Sequence, residues 1–194
     1  RDRRDSKNYP LSGHYLSANI QKIGLGVFEH SMNYINTTLQ VKKFGKLSDR
    51  FSLAGSLSST FSFNKKTPYF LENGIGYGVG VRGYEYYVID GQNVGLAKLQ
   101  FRFSLLQPRV YRIGFIPSDK FSKMHFAIYS SIFSDLGYVD DRIGYPSNNL
   151  ANTWLFGSGI SLDFVTYYDL VLRTEFSFNK LGESGLFIHF VAPI

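Results

Sequence analysis

The sequence predicts an all-β protein of antiparallel strands, and it suits a transmembrane β-barrel better than a soluble sandwich. Three observations carry this. Apolar and polar residues alternate with period two through element after element. The alternating stretches run to about 10 to 14 residues, against the roughly 9 to 11 that a tilted strand needs to cross a bilayer. Tyr and Phe gather at their ends, as in YEYYVI and FVTYYD, where interfacial aromatic girdles would lie. Both architectures share the alternation and differ in which face meets water. A sandwich buries its apolar face, whereas a membrane barrel turns that face to lipid and lines its lumen with the polar one.

Eight strands are expected, near residues 14–28, 31–44, 48–64, 92–107, 123–136, 153–165, 169–179 and 184–192. In the third, Phe51, Leu53, Leu57, Phe61 and Phe63 oppose Ser52, Ser56, Ser58, Thr60 and Ser62. In the fourth, Leu99, Phe101, Phe103 and Leu105 oppose Lys98, Gln100, Arg102 and Ser104. The fifth sets Phe126, Ile128 and Ile132 against His125, Tyr129, Ser131 and Asp135. The sixth sets Ile160, Leu162 and Phe164 against Gly157, Gly159, Ser161 and Asp163. The seventh sets Leu170, Leu172, Phe176 and Phe178 against Arg173, Glu175 and Ser177. Segments 65–91, 108–122 (with Pro108 and Pro117) and 137–152 read as connections. The first of these is too long for a hairpin turn, and loops of that length are usually functional or disordered.

Composition narrows the function classes. With no cysteine there is neither a disulfide framework nor a thiolate metal site. Aromatic residues make up 17% of the chain, high for a soluble domain. The net charge of +6 sits in residues 1–66, which hold 11 Lys and Arg against 4 Asp and Glu. These basic residues scatter over turns such as VKKFGKLSDR, so nucleic acid is not the expected partner; solvated turns or anionic headgroups are. No apolar run approaches the ~18 residues of a transmembrane helix.

The glycine-rich stretch GIGYGVGVRGYEYYVIDG, residues 74–91, does not fit a nucleotide site. Its glycines at 74, 76, 78 and 80 follow a strand period, no helix start follows them, and no Lys-Ser or Lys-Thr closes a P-loop. The run VRGY, Val81-Arg82-Gly83-Tyr84, on a long glycine-rich connection instead resembles the signature loop of the BamA/TamA superfamily, the outer-membrane assembly and two-partner-secretion barrels. Further motifs resemble that family in order: RDRRDSKNYPLSGHYL a strand start, FSDLGYVDD a strand end, GSGISLDF a strand, and GLFIHF the closing strand.

The resemblance implies that residues 1–194 form the C-terminal portion of a barrel of about 16 strands, with upstream strands and POTRA domains lying before residue 1. It implies that loop 65–91 folds into the lumen, where Arg82 pairs with Asp135 and has Gln100 nearby. Asp135 and Gln100 both fall on the polar face by alternation. Relatives often carry Glu where Gln100 stands, so Asp135 is expected to bear most of the anchor. A guanidinium can fork onto a carboxylate through two parallel hydrogen bonds, and glycines at 74, 76, 78, 80 and 83 are expected to let the loop pass close to the wall. The alternative is an ordinary hairpin with Arg82 in solvent. Leu186, Ile188 and Phe190 would belong to the closing strand at a seam, although the chain ends VAPI where relatives end on an aromatic residue.

No catalytic constellation is visible. His14, His30, His125 and His189 show no metal spacing, and Ser158 lies in a strand and not at a nucleophile elbow. Asp140 and Asp141 are Ca²⁺ candidates of lower rank than a solvated loop. Asp163, Arg173 and Glu175 are expected to form a luminal charge network, with Arg173 paired to Glu175. The expected role is therefore that of an outer-membrane assembly or insertion factor, not an enzyme, with no cofactor and no bound metal. Its partners would be outer-membrane lipids, client outer-membrane or secreted proteins, and accessory assembly proteins. The alternatives are a two-partner-secretion translocation pore, a passive outer-membrane pore, or a soluble all-β binding module.

Overall fold

The computed structural model describes residues 1–24, 33–64, 69–72, 74–76, 78, 80–112, 123–144, 148–166 and 170–190. Eight strands follow one another: β1 (Gly13–Ile23), β2 (Tyr34–Lys46), β3 (Phe51–Ser62), β4 (Asn93–Arg112), β5 (Lys123–Asp140), β6 (Trp154–Val165), β7 (Val171–Asn179) and β8 (Ser184–Phe190). Each pairs antiparallel with the next, in one sheet ordered β1 to β8. No ladder joins β1 to β8 among the described residues, so the sheet is open. The only helical turn described is Tyr69–Leu71, and no helix is long and apolar enough to cross a membrane.

The alternation is realised inside out relative to a soluble protein. Leu57 is 61% exposed, Leu99 52%, Ile132 59% and Ile160 57%, all in mid-sheet. Ser56, Gln100, Arg102, Ser131, Asp135, Ser161, Asp163, Arg173, Glu175 and Ser177 on the other face are buried. Aromatic clusters bound the apolar face. Phe51 stacks on Phe101 and meets Phe103 at a tilt near one end, and Tyr138 meets Trp154 near the other.

Two strands depart from expectation. β4 does not stop before Pro108 but runs to Arg112, because register shifts after Ser104 and after Leu106 each absorb an extra residue. Pro108 falls inside the second bulge, where no ladder N–H is needed. β5 continues past residue 136 to Asp140, since Gly137 and Val139 extend its inward face. Pro117, Pro193 and the closing VAPI lie outside the described residues, as do residues 25–28 of the expected first strand.

Two segments cover the polar face, each with a small apolar core. At one end Ile75, Val81, Tyr84 and Ile89 of the long connection pack on Val94, Leu96, Val139 and Leu155. At the other, Tyr9 packs on Ala127, Tyr129 and Val171. Between them lies the charged band that forms the candidate site. Truncating the core between loop and wall is expected to release the loop while leaving the sheet: Ile75→Ala should cost about 2 to 5 kcal/mol, read as faster proteolysis within residues 74–91 at unchanged β-sheet circular dichroism.

Candidate functional site

The connection between β3 and β4 is built as a neck and a tip. Ile75 and Ile89 exchange both backbone hydrogen bonds at 2.9 Å, closing the neck. The tip turns twice, with Tyr84 N–H donating to the Val81 carbonyl at 3.1 Å and Tyr87 N–H to that of Tyr84 at 3.0 Å. Arg82 leaves the first turn and enters the inner wall. Its Nε–H donates to Asp135 Oδ2 at 2.8 Å, its Nη2 to Oδ1 at 2.5 Å, and its backbone N–H to Oδ2 at 3.1 Å. The guanidinium also lies 3.8 Å above the Phe133 ring. Side chains of both partners are essentially buried, at 3% and 0% exposure. This is the forked pair that the resemblance implies.

Gln100 is not part of it. Its Nε2 donates to Ser131 Oγ at 2.6 Å, and its carbonyl faces Arg102 and Arg173 at 3.4 Å. The residue beside the pair is Lys98, directly opposite Asp135 in the ladder, with Nζ 4.0 Å from Oδ2. Inward positions along β4 recur every second residue, so Gln100 projects one pleat farther from Asp135 than Lys98 does.

The glycines of the loop act differently from expectation. Among 74, 76, 78, 80 and 83, only Gly83 lies against the wall, where a Cβ would meet the Phe178 carbonyl at 3.0 Å on a backbone of φ +92°. Gly74 and Gly76 instead lie against the returning arm of the loop. The wall supplies the decisive glycine: a Cβ on Gly157 would sit 1.8 Å from the Arg82 carbonyl oxygen. Alternation puts Gly157 on the polar face of its strand, but nothing in GSGISLDF marks it as the point where the loop backbone touches.

The tip rests on the last hairpin. Asn179 Nδ2 donates to the Gly83 carbonyl at 2.9 Å, and Tyr87 Oη donates to Glu183 at 2.8 Å. Tyr86 meets the Phe187 ring at 5.4 Å between centroids. Leu186, Ile188 and Phe190 of β8 point the other way and are 69%, 61% and 80% exposed.

The charge network exists with different partners. Arg173 forks onto Asp163, with Nε to Oδ1 at 2.7 Å and Nη2 to Oδ2 at 2.8 Å, and not onto Glu175. Neighbours two apart on one strand face inward side by side, while Asp163 lies directly across the ladder. Glu175 faces His189 at 3.2 Å instead. Tyr9, in the segment read as a strand start, donates its hydroxyl to Asp163 at 2.7 Å, and Arg102 donates to the Pro10 carbonyl at 2.8 Å. The alternation gave no sign of this second inward segment.

Asp141 is buried rather than solvated. It accepts from the N–H groups of Ile143 and Gly144 at 3.0 Å and from Asn148 Nδ2 at 3.1 Å, so its carboxylate pins its own loop. Gln92 bridges toward it from Glu72, whose carboxyl is held above its ordinary value by burial and by the charges of Asp141 and Asp90. His30 and the side chain of His125 lie outside the described residues.

Together these contacts define a curved, open sheet with an apolar outer face and a loop latched by an ion pair to its polar inner face. Compared with protein-family models and with curated proteins, the chain matches none.

Breaking one partner of a buried pair costs about 3 to 5 kcal/mol, because the other charge is left behind. Arg82→Ala should therefore free loop 65–91 to protease, and Gly157→Val should do the same by displacing the Arg82 backbone, with Arg82 itself intact. A pH effect follows from Glu72. Its carboxyl is raised in the folded state, so the protein binds a proton there more readily than the unfolded chain. The penalty is absent at pH values below the ordinary 4.5 and grows as pH rises through the raised value. Glu72→Gln should remove that dependence, measured as thermal stability between pH 4 and pH 8 (roughly the span over which a raised carboxyl titrates).

Proposed function

We propose that this chain is the C-terminal wall of a bacterial outer-membrane barrel of the BamA/TamA kind, which helps other outer-membrane or secreted proteins insert into or cross the membrane. The observation that carries the reading is the Arg82–Asp135 fork, buried on the polar face of a sheet whose outer face is apolar. An exposed apolar face of this extent, bounded by aromatic clusters, suits lipid. A polar inner face holding two forked Arg–Asp pairs suits a lumen. The sequence motifs that resemble the family supply the rest.

The mechanism follows from where the loop rests. The latch holds the tip against β7, the β7–β8 turn and β8 through Gly83, Tyr87 and Tyr86. β8 ends the sheet, and its outer edge pairs with no strand among the described residues. A client strand adding to such an edge gains backbone hydrogen bonds without needing a particular sequence, which suits a factor with many clients. The loop keeps β8 in position while that exchange proceeds. No small-molecule reaction is involved, and the outer-membrane lipids and accessory assembly proteins act as partners.

Two experiments test this. Leu99→Arg, in the middle of the outer face, should cost about 2 to 4 kcal/mol of folding stability in lipid vesicles; unchanged stability, or a protein that needs no detergent, would refute membrane insertion. In cells depleted of the wild-type protein, Arg82→Ala should fold into the outer membrane yet lower the amounts of other outer-membrane proteins. Normal amounts together with altered ion conductance would favour a passive pore, and selective loss of one secreted passenger would favour a secretion pore.

A further inference from the structure

Glu175 of β7, His189 of β8 and Glu85 of the loop tip converge on one spot beside the latch. One ligand atom from each lies within 4.8 Å of the others. The two residues of the sheet are already in contact, with His189 Nε2 3.2 Å from Glu175 Oε1. Glu85 is placed by the loop, its Oε2 accepting the Gly83 N–H at 2.8 Å. The side chain of Glu175 is wholly buried, and its second oxygen, Oε2, has no hydrogen-bond partner. An ionised carboxylate with an unmatched oxygen at that depth is costly unless something positive meets it.

The arginines nearby fork onto other carboxylates. Arg82 forks onto Asp135, and Lys98 Nζ stands 4.0 Å from the same carboxylate. Arg173 forks onto Asp163. Two carboxyl groups facing one another can hold a shared proton or a cation. The imidazole adds a third donor aimed at the same spot, which completes one face of a metal site. The cluster borders a cavity of about 480 Å³ lined by Gly76, Arg82, Lys98, Glu85 and His189, which gives an ion a way in.

We propose that Glu85, Glu175 and His189 form a binding site for a divalent transition metal of the zinc type. Two carboxylates and an imidazole suit Zn²⁺, Co²⁺ or Mn²⁺, whereas Ca²⁺ and Mg²⁺ take oxygen ligands alone. Metal–ligand distances near 2.0 to 2.2 Å need the donor atoms somewhat closer together than they stand, and Glu85, on the loop, is the one that moves. Water fills the remaining position. The ion ties the loop tip, β7 and the edge strand β8 at one point, adding a second fastening to the loop, independent of Arg82. No local spacing announces the site, because its ligands come from three separate elements.

The test uses protein purified in detergent without a histidine tag and stripped with chelator. Titration with Zn²⁺ alone should show one saturable site, and Co²⁺ should give the visible absorption of a four-coordinate centre with a nitrogen ligand. His189→Ala and Glu85→Gln should each weaken Zn²⁺ binding at least ~10-fold. Glu85→Gln lies outside the sheet and guards against a folding defect, which circular dichroism checks in both variants. Zn²⁺ should also slow proteolysis of the loop in the wild type and not in Glu85→Gln. Absence of a saturable site, or wild-type affinity in either variant, would overturn the proposal. Binding is measured with no assembly assay, so its result is separate from that of the functional reading.

Discussion

The Arg82–Asp135 pair is the constraint on which the site is organised. A buried guanidinium and carboxylate tolerate little displacement, because either one left alone in a low-dielectric wall is unfavourable by several kcal/mol. Around the pair every contact is close. Phe133 lies under the guanidinium, Lys98 stands opposite in the ladder, and Gly157 leaves room for the Arg82 backbone. With Arg82 fixed, the tip has one place to lie, and Gly83, Tyr86 and Tyr87 meet the last hairpin. The pair thus sets the position of a loop relative to a sheet edge.

The inner face carries a second fork, Arg173 on Asp163, and the two differ in what they join. Arg82–Asp135 connects a loop to the wall across 53 residues of chain. Arg173–Asp163 connects adjacent strands, and Tyr9 adds a hydroxyl from 154 residues away. On a polar face with few apolar contacts, such charged and hydroxyl groups join elements that apolar packing would otherwise hold. Two small apolar clusters, one at each end, supply the rest.

Most of the sheet was legible in the sequence because strand alternation is a local property. Inward and outward residues of β3 to β7 fall as the period requires, and strand limits differ mainly where a bulge rescues Pro108 or where Gly137 and Val139 lengthen β5. The site was legible in part. Arg82 and Asp135 were named through a resemblance between motifs and a face assignment, and the geometry joins them. Lys98 was missed, although it shares the polar face with Gln100, because which inward residue of β4 stands opposite Asp135 depends on register, and register is not local. The partner of Arg173 was misread for the same reason. The inward turn at Tyr9 left no signal at all, since a short polar segment with one proline looks alike whether it lies in water or on a wall.

That turn has a mechanical consequence. Tyr9 precedes β1 by a few residues yet bonds to Asp163 on β6, so the segment spans the hollow of the sheet as a bowstring spans a bow. A flatter sheet would carry β6 away from the start of β1 and stretch that chord. The curvature is therefore set by a tether of fixed length as well as by strand twist. One hydroxyl thereby ties the start of the sheet to a strand five places along it.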